Sequence, residues 1–231
     1  MDIHNSNIDL VLDVLHRILP QKEYKFFSNF SRLTLIIDEI KKYSNKRDEI
    51  LDLGCGPLIL AFLLEREEYK NISCLDKNPI YMDIYKELKS KGLLTHTKFE
   101  IKDINDINLE KTKYNLVIIH DVLFIPEIDI NSLLLRINTT LKPNGIICFD
   151  VWSQEFFNAY KPFYKIIYKK YINNKRYTKE EIKKLLNIYN FTIMNTYPVF
   201  GIYKISKNLR KMLYYLFKLS NTFFYIGQKT V

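Results

Sequence analysis

Apolar residues recur at helical spacing in the first 45 residues of the chain. One stripe stops before Pro20 and consists of Leu10, Val11, Val14, Leu15 and Ile18. A second stripe consists of Leu33, Ile36, Ile37 and Ile40. Steps of three and four residues place each set on one face of a helix. The pattern predicts an N-terminal helical cap over residues 1–45.

From Glu49 onward, short apolar runs alternate with amphipathic stretches. The runs occupy residues 50–53, 72–75, 98–101, 116–119 and 146–149. Helical stretches at about 58–67, 80–91 and 130–141 separate them. Strands that alternate with helices form a parallel sheet through right-handed crossovers, and helices then cover both faces. The pattern therefore predicts a doubly wound α/β domain.

The residues after Asp150 predict a less regular order of helices and strands. We expect a helix that ends near Ile188, a strand at 191–199, a helix at 206–219 and a last strand at 223–227. The helix between the two late strands is too polar for a buried crossover, so one of these strands is expected to run antiparallel. The fold class is therefore α/β, with a mostly parallel seven-stranded sheet, helices on both faces and a late antiparallel strand. Residues 46–231 then form one domain, with a core at 49–150, a basic aromatic region at 151–190 and the last strands and helix at 191–231.

The first apolar run leads directly into a turn that contains Gly54 and Gly56. Without a Cβ atom at these positions, the backbone can turn sharply and a ligand can lie against it, facing the N–H groups of the next helix. Asp76 follows Gly56 by 20 residues, at the end of the second run, where a carboxylate can accept both hydroxyls of a ribose. A dinucleotide site needs a third small residue where this chain has Ile59, so a nicotinamide enzyme is the weaker interpretation.

Two further elements extend this pattern. Asp103 and Ile104 follow the third run, and the turn Lys142-Pro143-Asn144-Gly145 precedes the fifth. With the turn at residues 52–56 and Asp76, they resemble the signature of the class I S-adenosylmethionine-dependent methyltransferases. The chain departs from many members of that family at Leu58, where they have a third glycine.

The resemblance implies S-adenosylmethionine as the cofactor. The cofactor-binding residues that it implies are Asp52, Gly54, Cys55, Gly56, Asp76, Lys77, Asp103, Ile104 and His120. The glycine turn would lie under the methionine part of the cofactor, with Asp52 near its amino group. Asp76 would hold the ribose, Lys77 would flank the adenine, and Asp103 and the Ile104 N–H would contact the ring.

His120 and Asp121 follow the fourth run and are the candidate catalytic residues. A histidine with a near-neutral pKa suits a general base that takes a proton from a hydroxyl or amine. Methyl transfer depends mostly on positioning, so a purely structural role for His120 is the alternative. The run at 120–124 lacks the acid-or-Asn-Pro-Pro-aromatic motif of adenine-N6 and glutamine methyltransferases, and it lacks the Cys beside a proline of cytosine-C5 enzymes.

The net charge of +9 is unevenly distributed. Residues 1–150 hold 20 basic and 23 acidic residues, whereas residues 151–231 hold 15 basic and 3 acidic residues. Aromatic candidates for a lid over the site are Tyr24, Phe27, Trp152, Tyr160 and Tyr164. Cations among aromatic residues favour a small anionic acceptor, and the alternatives are RNA or a peripheral membrane contact through a basic amphipathic helix near 205–218.

The remaining features concern the compartment. Cys55, Cys74 and Cys148 lie in apolar surroundings without a Cys-x-x-Cys pair, which indicates thiols in a reducing compartment. The first residues do not resemble a signal peptide, and no uncharged apolar run approaches the ~20 residues of a membrane span. We expect a cytoplasmic protein with no transmembrane segment and no metal site.

These observations predict a methyltransferase that acts on an oxygen or nitrogen of a small, acidic metabolite or glycoconjugate. An RNA methyltransferase is the alternative. A cofactor-binding or membrane-surface partner protein without catalysis is a third interpretation, against which the intact Gly54, Gly56 and Asp76 argue.

Overall fold

The computed structural model describes residues 5–27, 31–158, 173–199 and 222–230. The predicted helix at 206–219 and the lid candidates Tyr160 and Tyr164 lie outside these residues. The helices are α1 (Asn5–Ile18), α2 (Gln21–Phe27), α3 (Ser31–Tyr43), α4 (Ile59–Arg66), α5 (Ile80–Ser90), α6 (Ile130–Thr140) and α7 (Lys179–Ile188). The strands are β1 (Glu49–Leu53), β2 (Asn71–Asp76), β3 (Thr97–Ile101), β4 (Tyr114–Ile119), β5 (Leu141–Trp152), β6 (Phe191–Val199) and β7 (Thr222–Lys229). Among the described helices, none combines the length and the apolar character needed to cross a membrane.

The strands form one sheet in the order β3-β2-β1-β4-β5-β7-β6. β2 runs parallel to both β1 and β3, with Asp52 opposite Cys74 and Asp76 opposite Ile101. β7 runs antiparallel to both β5 and β6. The predicted Rossmann-like sheet, mostly parallel with a late antiparallel strand, is confirmed.

The chain divides into two compact units, and the first comprises residues 1–107 and 114–116. Within it α1 packs against α5, and Arg17 forms an ion pair with Glu87. α3 packs against α4, where Lys41 Nζ lies 2.6 Å from a carboxylate oxygen of Glu67. The two predicted stripes supply buried residues to this unit, namely Val11, Val14, Leu15, Ile36, Ile37 and Ile40. Removing each such side chain from water stabilises the fold by roughly 1.5–3 kcal/mol, which explains why these helices pack on the unit.

The second unit comprises residues 108–113 and 117–231. Residues 145–151 of β5 and 222–227 of β7 are buried without alternation, and the rings of Phe149 and Tyr225 stack with centroids 5.4 Å apart. α7 begins with a capping box in which the Thr178 side chain accepts from Glu181 N–H, while the Glu181 carboxylate accepts from Thr178 N–H. Such caps satisfy N–H groups that have no partner inside the helix, and this one fixes where α7 starts.

β5 is longer than the pattern predicted. It begins at Leu141, directly after α6, whereas the apolar run starts only at Ile146. Pro143 lacks an N–H group, and Asn144 has a left-handed backbone with φ 61°. The Lys142-Pro143-Asn144-Gly145 turn therefore lies inside the strand. Because these residues do not alternate between apolar and polar, the sequence pattern does not predict the first part of β5.

Candidate active site

The predicted glycine turn connects β1 to α4 in the first unit. Gly54 and Gly56 have φ values of 72° and 56°, in the left-handed region that residues with a Cβ atom rarely adopt. The N–H groups of Gly54 and Cys55 both donate to Leu75 O, at 2.7 and 3.2 Å. The turn is therefore fixed on the carboxyl end of β2, one residue before Asp76.

Asp76 joins the two parts of the predicted cofactor motif. Its Oδ2 accepts from the Gly56 N–H at 2.9 Å, and its Oδ1 accepts from the Asn78 N–H at 2.9 Å. Burial raises the pKa of the Asp76 carboxyl above its ordinary value, although the hydrogen bonds from Asn78 and Gly56 oppose the shift. The carboxylate is thus held by backbone groups on both sides at the end of β2.

The third predicted element reaches the same place from β3. Lys102 N–H donates to Asp76 O at 3.0 Å, and Lys77 Nζ lies 3.6 Å from Asp103 Oδ2. Asp103 Oδ1 accepts from Asn105 N–H at 2.9 Å, while Ile104 is buried. The structure therefore brings Gly56, Asp76, Lys77 and Asp103 together, as the family resemblance implied.

Two further predicted residues belong to this unit. Asp52 is 1% exposed and stands opposite Cys74 in the β1–β2 register. Cys55 is partly buried, and burial and the neighbouring Cys74 raise the pKa of its thiol well above the ordinary value. The backbone of Cys55 takes part in the turn through its N–H hydrogen bond to Leu75 O.

Leu58 occupies the position where the family often has a third glycine. Its φ of 64° is left-handed, and its side chain is fully buried at the start of α4. The backbone thus adopts the conformation that a glycine would favour, and the buried leucine side chain offsets a strain of about 1–2 kcal/mol. The departure from the family pattern leaves the shape of the turn intact.

These residues fit S-adenosylmethionine. A half-buried carboxylate ends β2, backbone N–H groups follow a turn with two left-handed glycines, and a second carboxylate follows β3. Carboxylates accept hydrogen bonds from ribose hydroxyls and exocyclic amino groups, and glycine backbones admit a ligand at close range. Asp76, Asp103 and the turn at Gly54 and Gly56 are therefore the residues that would hold the cofactor.

His120 and Asp121 lie in the second unit, directly after β4, and the structure places Asp150 of β5 beside them. His120 Nε2 is 3.4 Å from Asp121 Oδ2, and His120 Nδ1 is 3.3 Å from Asp150 Oδ2. Asp150 Oδ1 also accepts from the Asp121 N–H at 2.8 Å. Asp121 has a left-handed backbone, with φ 56°. The Asp150 carboxylate therefore contacts both candidate catalytic residues.

Sequence reasoning missed Asp150, although a signal was present. An acidic residue directly follows the apolar run at 146–149, and its side chain is 2% exposed. A buried carboxylate requires a hydrogen-bonding or charged partner, so an acid at the end of a buried strand is a candidate for a functional cluster. His120, Asp121 and Asp150 also offer donor atoms within 4.8 Å of one another, a set that a cation can use, and the prediction of no metal site stays a prediction.

The predicted lid residues that the structure describes lie in different elements and contact different neighbours. Tyr24 of α2 contacts His16 of α1 edge to face, with ring centroids 4.8 Å apart. Phe27 is the last residue of α2. Trp152 ends β5 and stacks on Phe124, with centroids 4.6 Å apart and an interplanar angle of 20°. A role of these residues in closing the site stays a prediction.

The seven-stranded sheet has the fold of the class I S-adenosylmethionine-dependent methyltransferases. A family model described as a methyltransferase domain matches residues 44–214, and the chain belongs to this methyltransferase domain family. No curated protein matches the sequence significantly.

Solved structures of methyltransferases share the fold. A Methanosarcina mazei S-adenosylmethionine-dependent methyltransferase is 17% identical, with a TM-score of 0.64 over 84% of this chain and 97% of that chain. A chain of the Haloferax volcanii complex between the Trm112 methyltransferase activator and a methyltransferase is 14% identical, with a TM-score of 0.69 over 95% and 98%. The geranyl diphosphate C-methyltransferase from Streptomyces coelicolor, solved with Mg²⁺, geranyl diphosphate and S-adenosylhomocysteine, is 10% identical, with a TM-score of 0.64 over 87% and 79%.

Proposed function

We propose that this methyltransferase acts on an oxygen or nitrogen of a small, anionic acceptor, with His120 taking the proton that the acceptor loses. The observation that carries the proposal is the position of His120 between the carboxylates of Asp121 and Asp150, at 3.4 and 3.3 Å. A hydroxyl or amine must lose a proton when it is methylated, and an imidazole held in this way can accept it.

The cofactor residues have distinct proposed roles. Asp76 accepts from the ribose hydroxyls, the turn at Gly54 and Gly56 lies against the methionine part, and Asp103 accepts from the adenine amino group. Asp52 lies toward the amino group, and Lys77 flanks the adenine. When bound, S-adenosylmethionine would supply a methyl group on a sulfonium; the acceptor lone pair would form a bond to the methyl carbon in line with the breaking carbon–sulfur bond, and S-adenosylhomocysteine would be the leaving group.

The carboxylates beside His120 serve the proton step. The imidazole becomes positively charged when it takes the acceptor proton, and an adjacent carboxylate stabilises that charge and fixes the ring orientation. Asp150 holds the side chain of His120 and the backbone of Asp121 at once, so it positions both groups. We assign His120 the role of general base and Asp150 that of a positioning residue.

The excess of 15 basic over 3 acidic residues in 151–231 supports an anionic acceptor. The same excess also fits RNA or an anionic membrane surface, and these remain the alternatives. All three cysteines are thiols, which supports a cytoplasmic protein.

Transfer of tritium from S-adenosyl-[methyl-³H]methionine tests the acceptor class. The protein is incubated separately with a small-metabolite extract and with total RNA, and labelled material is separated by anion exchange before and after nuclease treatment. We expect nuclease-resistant label that an anion-exchange resin retains. Nuclease-sensitive label would instead establish RNA as the acceptor.

Variants of the histidines test the proton step in the same assay. His120→Gln should lower the turnover, measured at saturating S-adenosylmethionine, by about 10²-fold or more. His96→Gln, in an exposed loop, is the matched control and should behave as wild type. Equal rates for His120→Gln and wild type at every pH would remove the general base from the proposal.

A further inference from the structure

Two aromatic residues meet at the carboxyl ends of β4 and β5 in the second unit. Phe124 lies in the loop after β4, Trp152 is the last residue of β5, and both side chains are half-buried. Their rings stack at 4.6 Å. In open α/β sheets, ligands bind outside the carboxyl ends of the strands, so a half-exposed aromatic stack at this edge is placed to contact a bound molecule.

The segment at 173–178 is fastened to both of these residues by its backbone. Lys175 N–H donates to Phe124 O at 2.8 Å, and Tyr177 N–H donates to Trp152 O at 2.9 Å. The intervening residue, Arg176, is therefore held next to the stack by hydrogen bonds on both sides. A side chain supported by rigid elements in this way is suited to specific recognition.

The Arg176 guanidinium lies over one aromatic ring and close to another. Its central carbon is 3.8 Å from the centroid of Phe157 and 5.9 Å from the centroid of Trp152. One of its amino groups donates to Asn174 O at 2.8 Å. A guanidinium that lies over a ring keeps its five N–H donors in its own plane, and a carboxylate or phosphate can accept from two of them at once.

The neighbouring lysines contact other groups. Lys175 Nζ donates to Ile128 O at 2.6 Å, so its charge is directed at the backbone of the second unit. Lys179 Nζ lies over the ring of Phe223, 4.3 Å from the centroid. Within the segment 173–178, Arg176 is the basic residue that lies next to Phe124 and Trp152. Its positive charge is therefore adjacent to a planar apolar surface.

We propose that Phe124, Trp152, Phe157 and Arg176 form a recognition subsite for the acceptor, here termed the aromatic–arginine cluster. It takes a molecule that combines a planar or apolar group with a carboxylate or phosphate. The apolar group lies against the aromatic rings, and the anion accepts hydrogen bonds from Arg176. This inference rests on the proposed function and narrows its acceptor from any small anion to an amphiphilic one.

Trp152 is the only tryptophan of the chain, so its fluorescence reports on the cluster directly. Phenyl phosphate and benzoate are titrated as probes that carry a ring and an anion, while phenol lacks the anion and inorganic phosphate lacks the ring. We expect saturable quenching by at least one of the two anionic aromatic probes, and weak or no response to phenol and phosphate. Comparing phenyl phosphate with benzoate shows which anion the cluster prefers.

Substitutions of Arg176 then separate charge from geometry. Arg176→Gln should lower the affinity for the preferred probe by about tenfold or more, because it removes a charge-assisted hydrogen-bond donor. Arg176→Lys should restore only part of the affinity, since an ammonium lacks the planar fork. Lys183→Gln removes the same charge from an exposed position on α7 and should bind as wild type.

Two results would overturn the proposal: no saturable response to either anionic aromatic probe, or equal affinities for Arg176→Gln and Lys183→Gln. Calorimetry with S-adenosylhomocysteine on the same variants checks folding and the cofactor site independently. The two proposals can fail separately. If tritium is transferred to nuclease-resistant anions but Trp152 fluorescence does not respond to either anionic aromatic probe, the cluster is rejected and the proposed function stands.

Discussion

Asp76 Oδ2 accepts a hydrogen bond from the Gly56 N–H at 2.9 Å, which links the acid that ends β2 to the glycine turn that follows β1. The two residues are 20 positions apart in the chain, and this spacing is the one from which the site was predicted. Their direct contact means that the proposed ribose site and the proposed methionine site share one carboxylate.

Replacing Asp76 by Asn tests this shared role. An amide can accept with only one oxygen, so it would present an NH₂ group to either the Gly56 or the Asn78 N–H. We expect affinity for S-adenosylhomocysteine, measured by calorimetry, to fall at least about tenfold. Asp106→Asn, at an exposed position after β3, serves as the control and should leave affinity unchanged. Wild-type affinity in Asp76→Asn would show that this carboxylate does not hold the cofactor.

The pH dependence of cofactor binding follows from the same residue. Burial raises the pKa of Asp76 above the ordinary aspartate value of 3.8, so the carboxylate takes up its proton at a higher pH than an exposed aspartate does. A protonated carboxyl can accept fewer hydrogen bonds from a ribose, and affinity should therefore fall as the pH drops through this raised value. Calorimetric titrations from neutral to acidic pH measure the effect, and a profile shared by wild type and Asp76→Asn would contradict it.

Glu65 makes the first unit sensitive to acid. Its Oε1 accepts from Thr97 N–H and Oγ1 and from His96 N–H, and its Oε2 accepts from Thr95 N–H and Oγ1. Burial alone would raise the pKa of Glu65, but these hydrogen bonds outweigh it and lower the pKa below the ordinary value of 4.5. The stability that Glu65 contributes is therefore fully present above the ordinary glutamate pKa of 4.5, and it is lost as the pH falls through the lowered pKa of the folded protein.

We expect Glu65→Gln to lower the free energy of unfolding by about 1–3 kcal/mol at neutral pH, because one carboxylate oxygen becomes a donor that faces other donors. Its stability should also change less between pH 6 and pH 3, a range of roughly three units around the ordinary glutamate pKa. Urea unfolding at several pH values provides the measurement. Glu68→Gln, exposed near the same helix end, is the control, and matching acid profiles for the two variants would refute the role of Glu65.

Glu68 offers a stabilising substitution. The last turn of α4 ends in a Schellman motif, with Glu68 N–H donating to Glu65 O and Tyr69 N–H donating to Leu64 O. Glu68 has φ 69° and is exposed, so its Cβ is strained without any compensating burial. Glu68→Gly should raise the unfolding free energy relative to Glu68→Ala by about 1 kcal/mol. Thermal unfolding that ranks alanine above glycine would contradict this assignment of strain.

The cluster of His120, Asp121 and Asp150 is expected to act without a bound metal. The proposed general base needs an imidazole nitrogen that can take a proton, and a cation on that nitrogen would block the step. Titration of the protein with Mn²⁺ in a calorimeter should therefore give no saturable heat. Saturable binding in wild type that disappears in Asp150→Asn would assign a cation to these residues.

Local sequence patterns and the family resemblance were sufficient to group the residues at the carboxyl ends of β1, β2 and β3. The glycine turn, Asp76 and Asp103 each follow directly from a strand whose apolar run is visible in the chain, so their meeting point could be predicted from a parallel sheet. Asp150 and Arg176 could not be found in this way. Their roles depend on which strand ends lie next to each other and on a loop whose backbone bonds to both, and neither fact is encoded in periodicity.

The start of β5 shows a similar limit. Pro143 and Asn144 interrupt the alternation that marks a strand, and only the pairing with β7 and the position of Leu141 directly after α6 reveal how long β5 is. The same antiparallel pairing continues to Trp152, which is how an aromatic residue of the proposed acceptor subsite comes to end a core strand.

Calorimetry with S-adenosylmethionine and with NAD, on wild type and Asp76→Ala, tests the central claim most directly. We expect one-to-one binding of S-adenosylmethionine to wild type, no heat with NAD, and loss of binding in a folded Asp76→Ala. Binding of NAD in place of S-adenosylmethionine, or unchanged affinity in Asp76→Ala, would contradict it.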